Sequence, residues 1–336
     1  MGVRLQTSLN NGLNNGLRQS ISGGVSAALA FLEYTTASVS TFRVRSFVTP
    51  NYDVDWGDGS VETGITATNK DHTYSTAGIY TIKITPAEGS TFRPEHYGTP
   101  DFATNLTKVT GTGGSQLGTD LQKAYRETTS LTSFGTIDTS SVTSFQAAWH
   151  GCSGLTSFPL IDTSSATNFQ NAWLSCSGLT SFPALDTSNV TNFQDTWNGC
   201  TGFTSFPALD MSSGTDFRGA WFGCTSLTSF PSITPTSGTD FGAAWRNCTS
   251  LATYPANQFD TTGTLVSAAF SLAFVNCALT AQSIENILTS LDTNGSQNIT
   301  LQIGGGTNAG KSTWSTAANT AYNNLITKGW TINFNS

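Results

Sequence analysis

From residue 118 onward the apolar positions of this chain recur at a fixed interval of 24. Trp149, Trp173, Trp197, Trp221 and Trp245 each stand three residues before a cysteine: Cys152, Cys176, Cys200, Cys224 and Cys248. Leu155, Leu179, Phe203, Leu227 and Leu251 stand three residues after it. Then come Phe158, Phe182, Phe206, Phe230 and Tyr254, each followed by proline, an aliphatic residue (Ile161, Leu185, Leu209, Ile233), and Phe169, Phe193, Phe217 and Phe241. A single unit of this length cannot bury its own apolar face, so a constant period predicts coils that stack and share a continuous core. One step back along the period lie Leu121, Tyr125, Thr128, Leu131 and Phe134, a degenerate first coil beginning near Gly118. As an end position, Tyr125 is expected to tolerate truncation better than the mid-array Trp197. At the other end, Phe274 and Cys277 keep the aromatic-x-x-cysteine spacing.

Residues 33–86 carry a different period. Phe42-Arg-Val-Arg-Ser-Phe47 and Tyr80-Thr-Ile-Lys-Ile84 alternate polar and apolar, which predicts half-buried strands. After the repeats, Ile299–Ile303 reads as a strand, Trp314–Thr327 as an amphipathic helix and Gly329–Phe334 as a final strand. Together they form a strand-helix-strand cap for the last coil.

The 24-residue unit resembles the BspA-like leucine-rich repeat, with tryptophan for the usual phenylalanine and alanine before it in Ala148-Trp149, Ala172-Trp173, Ala220-Trp221 and Ala244-Trp245. That resemblance implies a short strand around each Leu-Thr-Ser-Phe, a turn at the proline and a return segment carrying Phe and Trp inward. Family members are mostly surface-exposed binding proteins. Upstream, Val54-Asp55-Trp56-Gly57-Asp58-Gly59-Ser60, followed by His72-Thr73-Tyr74 and Gly78-Ile79-Tyr80, resembles the PKD domain, an Ig-like β-sandwich. The expected fold is therefore mainly β. A PKD/Ig-like β-sandwich (33–90) leads through a connector (91–117) to a leucine-rich-repeat-like solenoid (118–280) and a C-terminal cap (281–336), all preceded by an N-terminal arm (1–32).

Charge narrows the functional classes. Asp, Glu, Lys and Arg make up 10% of the chain, against about 25% in an average soluble domain, so the exterior is rich in hydroxyl and amide groups. The net charge is −7, and no run of Lys or Arg could follow a phosphate backbone, which argues against nucleic acid. No stretch approaches the roughly 20 apolar residues needed to span a bilayer. Val25–Leu32 makes a poor secretory h-region, since no small-x-small cleavage site follows it.

Little of the remaining chemistry points to catalysis. Cysteines 24 residues apart lack the close spacing of a zinc site or disulfide framework and read as a buried column of free thiols. The aromatic columns occupy inward positions, which assigns them to the core and not to an exposed sugar-binding stripe. Asp53, Asp55 and Asp58 suit turn carboxylates better than a calcium site. Gly305–Ser312 satisfies G-x-x-x-x-G-K-[ST], yet no second acidic strand follows to hold magnesium, so it is read as part of the cap. No nucleophile, base or cofactor motif emerges, and no catalytic, metal or cofactor residue is assigned.

Two surfaces remain. Uniform Thr-Ser pairs such as Thr156-Ser157 and Thr180-Ser181 read as a hydroxyl ladder joining coils. Variation concentrates between Trp and Cys, at His150-Gly151, Leu174-Ser175, Asn198-Gly199, Phe222-Gly223 and Arg246-Asn247. His150, Leu174, Asn198, Phe222 and Arg246 are therefore the candidate binding edge. In the arm, Leu5, Leu9, Leu13 and Leu17 recur at intervals of four within Gly/Asn-rich sequence and are the candidate anchoring residues, ordering against a partner or against copies of themselves as a homo-oligomer. The combination suggests a non-enzymatic bacteriophage virion protein, a fibre or capsid decoration. Its arm would hold other virion proteins, and its solenoid would meet a host surface protein or glycan at the virion surface. The alternative is a secreted or cell-surface adhesin of the BspA type.

Overall fold

A computed structural model describes residues 32–48, 50–95, 104–111 and 117–335. The fold is mainly β, with two α-helices among the described residues. Eight strands open it: β1 (Leu32–Thr36), β2 (Val39–Arg45), β3 (Tyr52–Asp55), β4 (Val61–Ile65), β5 (Asn69–Gly78), β6 (Thr81–Pro86), β7 (Leu106–Thr110) and β8 (Ser133–Phe134). One sheet runs β4-β3-β6-β1-β7-β8, and β2 pairs with β5 in a second. Alternation places Tyr34, Tyr52, Val54, Ile82 and Ile84 inward, where all are buried. Trp56, just past β3, stacks on His72 of β5 with ring centroids 4.7 Å apart, and Tyr74 Oη donates to the Trp56 carbonyl at 3.0 Å. Residues carried by one sheet thus fill the space against the other.

Strand β7 lies inside the stretch expected to be a connector. It pairs antiparallel with β1 and parallel with β8, so the first sheet runs directly into the first coil. The N-terminal unit and the repeats therefore share a sheet and one continuous core.

The coils stack through parallel bridges Asp120↔Ser144↔Asn168↔Asn192↔Asp216↔Asp240, each step 24 residues long. Each return segment turns twice through left-handed backbone. Ala147, Asn171, Asp195, Gly219 and Ala243 form one such column, and Gly151, Ser175, Gly199, Gly223 and Asn247 the other. These reversals aim every second peptide N–H at the following coil: Phe145 donates to Asn168 O, Ala147 to Gln170 O, Trp149 to Ala172 O and Gly151 to Leu174 O, at 2.7–2.9 Å. The intervening N–H groups close tight turns within the coil, such as Ala148 to Phe145 O.

Inside, the tryptophans, cysteines and Phe columns are fully or almost fully buried. Successive indoles stack, with Trp149–Trp173 centroids at 5.2 Å and Trp197–Trp221 at 5.5 Å. Each indole also meets a Phe or Tyr ring edge to face, as Trp197 does with Phe206 at 4.8 Å. The indole N–H groups of all five are buried and reach no oxygen or nitrogen acceptor. All six cysteines are free and buried. Five of them donate a thiol proton to the carbonyl of a repeat tryptophan in the preceding coil, as Cys176 does to Trp149 O at 3.0 Å and Cys224 to Trp197 O at 3.3 Å, and Cys152 makes the same bond to Tyr125 O. Burial pushes the Cys224 and Cys277 thiols up to about 12, so they stay protonated donors and poor nucleophiles.

Two expectations need correction. Among the described residues, only Ser133–Phe134 forms a named strand at the Leu-Thr-Ser-Phe position, with one further bridge between Ser229 and Thr253. Most inter-coil backbone hydrogen bonds run through the return segment, with a few at this position, such as Phe230 N to Thr253 O at 2.9 Å and Thr180 N to Thr156 O at 3.3 Å. The hydroxyl ladder also lies elsewhere: Thr143, Thr167, Thr191, Thr215 and Thr239 each donate Oγ1 to the threonine carbonyl of the coil before, at 3.0–3.2 Å. Within the Thr-Ser pairs, Thr180 makes such a bond at 3.4 Å.

The array has two dissimilar ends. Its return-segment carbonyls face the N-terminal unit, where Arg93 Nη2 donates to Gln122 O at 3.2 Å and lies 3.1 Å from an Asp120 carboxylate oxygen. Its N–H groups face the cap, comprising α1 (Ala281–Asn294), β9 (Thr300–Gln302), α2 (Thr316–Thr327) and β10 (Thr331–Asn333). Strands β9 and β10 pair in parallel around α2, matching the expected strand-helix-strand order. Helix α1 is an addition to that expectation. Thr280 caps its N-terminus, Gly295 (φ +80°) ends it, and Ile284, Ile287, Leu288 and Leu291 face the core.

Candidate binding edge

The five edge residues are brought into one line by backbone bonds. Glu127 N donates to His150 O, Gly151 to Leu174 O, Ser175 to Asn198 O, Gly199 to Phe222 O and Gly223 to Arg246 O, at 2.6–2.8 Å. Each carbonyl is thus fixed on the coil before it, and each side chain leaves the stack half-buried. The second residue of each varying pair is Gly, Ser, Gly, Gly or Asn because it occupies the left-handed column, where a Cβ is disfavoured. Only the first is free of that backbone constraint.

Chemistry changes along the line. His150 is held below the ordinary imidazole pKa, first by burial and then by Arg126, so its ring is neutral at neutral pH. Leu174 is apolar. Asn198 Nδ2 donates to Asp195 Oδ1 at 2.8 Å, and the Arg246 guanidinium sits 5.7 Å from the centroid of the Phe222 ring.

A second column beside this edge was not anticipated. Gln122, Gln146, Gln170 and Gln194 form an amide ladder, each Nε2 donating to the next Oε1 at 2.7, 2.8 and 3.0 Å. Arg218 ends it, donating to Gln194 Oε1 at 3.3 Å while pairing with Asp216 at 2.6 Å. Glutamine at a constant offset after each Phe is the signal in the sequence, visible in Phe145-Gln146, Phe169-Gln170 and Phe193-Gln194.

The other singled-out residues lie apart. Leu5, Leu9, Leu13 and Leu17 fall outside the described residues. Asp53, Asp55 and Asp58 each accept a backbone N–H, from Gly64, Gly57 and Ser60, at 2.8–2.9 Å. Asp58 also meets His72 Nε2 at 2.8 Å, and Ser60 and His72 hold its carboxyl far below the usual range. Among the described residues, no group of three His, Cys, Asp or Glu is placed to hold a metal ion, and no helix is long and apolar enough to cross a membrane.

Within the Gly305–Ser312 string, Gly305 N donates to Asn335 Oδ1 at 2.7 Å, and the Lys311 ammonium lies 3.6 Å from the Tyr322 ring centroid. A three-residue 3-10 turn, Lys311–Thr313, follows the glycines, and α2 begins only at Thr316. A phosphate-cradling loop presents its lysine and the helix N-terminus to the ligand. Here the lysine covers an aromatic cluster of the cap. Lys311→Ala is expected to lower stability by about 1 kcal/mol and to leave ATP titrations flat in both proteins. Micromolar ATP binding by the parent, lost in the variant, would overturn the assignment to the cap.

Comparison with known proteins adds no relative: no family model matches the chain, and neither a curated protein nor a solved structure matches it.

Proposed function

We propose that this chain is a non-enzymatic structural protein of a bacteriophage virion, a fibre or capsid decoration that displays a binding edge at the particle surface. In this reading the N-terminal unit is a PKD-like sandwich, the repeats are a BspA-like leucine-rich-repeat solenoid, and residues 1–31 are the arm that docks on other virion proteins, one residue shorter than the expected 1–32 because Leu32 of β1 is buried and pairs with Ile84. The observation that carries it is the contrast between columns. Inward positions hold the same residue types coil after coil, while the edge column passes through imidazole, isobutyl, amide, phenyl and guanidinium groups on one rigid backbone. Such a scaffold suits display of a recognition surface to a host protein or glycan.

The arm supplies the test. A chain lacking residues 2–30 is expected to melt at the temperature of the full chain and to be missing from assembled particles, since isolated leucines in Gly/Asn-rich sequence contribute little to a core. Mass spectrometry of purified particles reads incorporation directly. Normal incorporation of the truncated chain would remove the docking role.

A further inference from the structure

Six arginines lie among the described residues, and five stand within ion-pair distance of a carboxylate: Arg43 with Asp71, Arg45 with Glu95, Arg93 with Asp120, Arg126 with Glu127 and Arg218 with Asp216. Arg246 is the exception. It stands in the edge column, half-buried, with Nε sealed from solvent and bonded to no acceptor. A guanidinium in that setting has lost part of its hydration without gaining an anion, unlike the other five arginines among the described residues.

Its surroundings define what would complete it. The Phe222 ring lies under the guanidinium on the N-terminal side and limits its rotamers. The C-terminal neighbour in the column is Val275, whose carbonyl accepts from Asn247 N at 2.8 Å. Asn247, next to Arg246 on the same coil, accepts from Asn276 Nδ2 at 3.0 Å through Oδ1, which leaves its own amide N–H groups for another acceptor. Asn198, further along the column, donates to Asp195 and keeps its Oδ1 as an acceptor. One cation therefore stands in the column between Phe222 and Val275, with a free amide donor at Asn247 on its own coil and an amide acceptor at Asn198 two coils back.

We infer that the Phe222–Arg246–Asn247 stretch of the edge binds an acidic glycan, with Arg246 forking onto the carboxylate of a uronate residue and the amides taking neighbouring hydroxyls. A planar monoanion matches the guanidinium fork. A polyanionic peptide fits less well, because Asp195 is bonded to the edge residue Asn198 and the net charge of the chain is −7. A sugar chain carries its carboxylates spaced by neutral, hydroxyl-bearing rings and meets less of that repulsion. The inference rests on the edge being the recognition surface.

The experiment titrates the full chain by calorimetry with a galacturonate oligomer, the methyl ester of that oligomer, and polyglutamate, each against parent, Arg246→Gln and His150→Ala proteins. Binding of the free oligomer is expected, weakened at least about tenfold by Arg246→Gln and equally by esterification, with His150→Ala unaffected and polyglutamate weaker than the oligomer. No binding of the oligomer, equal binding of its ester, an unchanged Arg246→Gln or tighter binding of polyglutamate overturns the inference. Arg246→Gln leaves the stack's backbone bonds in place, and matching melting curves verify that it folds. Host adsorption of particles carrying Leu174→Ala, Asn198→Ala or Phe222→Ala separates the two levels. Reduced adsorption without glycan binding sinks the acidic-glycan inference alone, and unchanged adsorption with all three sinks the edge itself.

Discussion

Trp197→Ala is expected to lower the free energy of unfolding by about 3–5 kcal/mol, the usual range for emptying a buried tryptophan site. The indole is fully buried and in contact with rings on every side: Trp173 at 6.2 Å and Trp221 at 5.5 Å stack on it, while Phe182 at 5.3 Å and Phe206 at 4.8 Å meet it edge to face. The two flanking coils are held at fixed spacing by Trp173 N to Thr196 O and Trp197 N to Ala220 O, both 2.9 Å, so the cavity cannot close without breaking backbone bonds. Its N–H has no oxygen or nitrogen partner to lose. Trp197→Phe is therefore expected to cost well under half as much, and Leu160→Ala, at a side chain 64% exposed, almost nothing. Denaturant unfolding of the three variants measures this order. Losses of similar size at Trp197 and Leu160 would mean that the aromatic column does not hold the coils together.

Tyr125 shows where reasoning from the end of a repeat fails. In the sequence it is the degenerate first member of the column and is expected to tolerate truncation better than Trp197. In the structure it is as buried as Trp197, stacked 6.4 Å from Trp149 and close to the Tyr34 hydroxyl of β1. The N-terminal unit covers this end of the stack, so Tyr125→Ala should cost as much as a mid-array truncation. The shared strand β7 explains the difference: Lys108 and Val109 lie opposite Ser133 and Phe134, which joins the two units edge to edge. Five residues of ordinary alternation in Leu106–Thr110 do not announce a strand with neighbours on both sides, because strand pairing is a property of the fold and not of the segment.

What was legible followed from periodicity. Positions repeated at 24 identified the buried Trp, Cys, Leu and Phe columns, because a stack puts equivalent residues in equivalent environments. Those same columns did not reveal which backbone segment carries the hydrogen bonds. Alternating right- and left-handed turns leave a faint mark, Gly, Ser or Asn at one position and Ala, Asn, Asp or Gly at another, and the first of these is easily taken for recognition diversity. The edge residues His150 to Arg246 were legible as variation against a constant background. The isolation of Arg246 was not, since it depends on which carboxylates the fold brings near the other five arginines among the described residues. Helix α1 had a sequence signal, with Ile284, Ile287, Leu288 and Leu291 spaced for one face, but Ser283 and Ser290 on that face broke the apolar pattern. Both serines are buried because their hydroxyls serve the last coil, accepting from Tyr254 N at 3.0 Å and Phe259 N at 2.7 Å.

Those serines lead to the second large effect: ending the chain after Thr280 is expected to abolish cooperative folding and leave aggregated protein. The last coil points its N–H groups at the cap. Leu272 N donates to Gln302 Oε1 at 2.6 Å, Phe274 N to Gln302 O at 3.1 Å, Asn276 N to Gly304 O at 3.2 Å and Leu279 N to Asn308 Oδ1 at 2.8 Å. Without residues 281–336 these donors face water, and the Tyr254, Phe259, Phe270 and Phe274 rings lose the cover of α1 and β9. Exposed polar groups can hydrate, so the apolar patch decides the outcome. Four aromatic side chains of about 150–250 Å² each, bared on the side that does not face Phe230, Phe241 and Trp245, still approach the few hundred Å² of contiguous apolar surface that soluble monomers tolerate. A milder change isolates the hydrogen-bond part. Gln302→Leu keeps the volume but removes the acceptor for Leu272 N, a loss of about 1–3 kcal/mol. Size-exclusion chromatography and thermal melts of the truncated chain, Gln302→Leu and the parent test both parts at once. A truncated chain that elutes as a monomer and melts cooperatively near the parent temperature would show that the repeats terminate themselves and that the cap serves some other end.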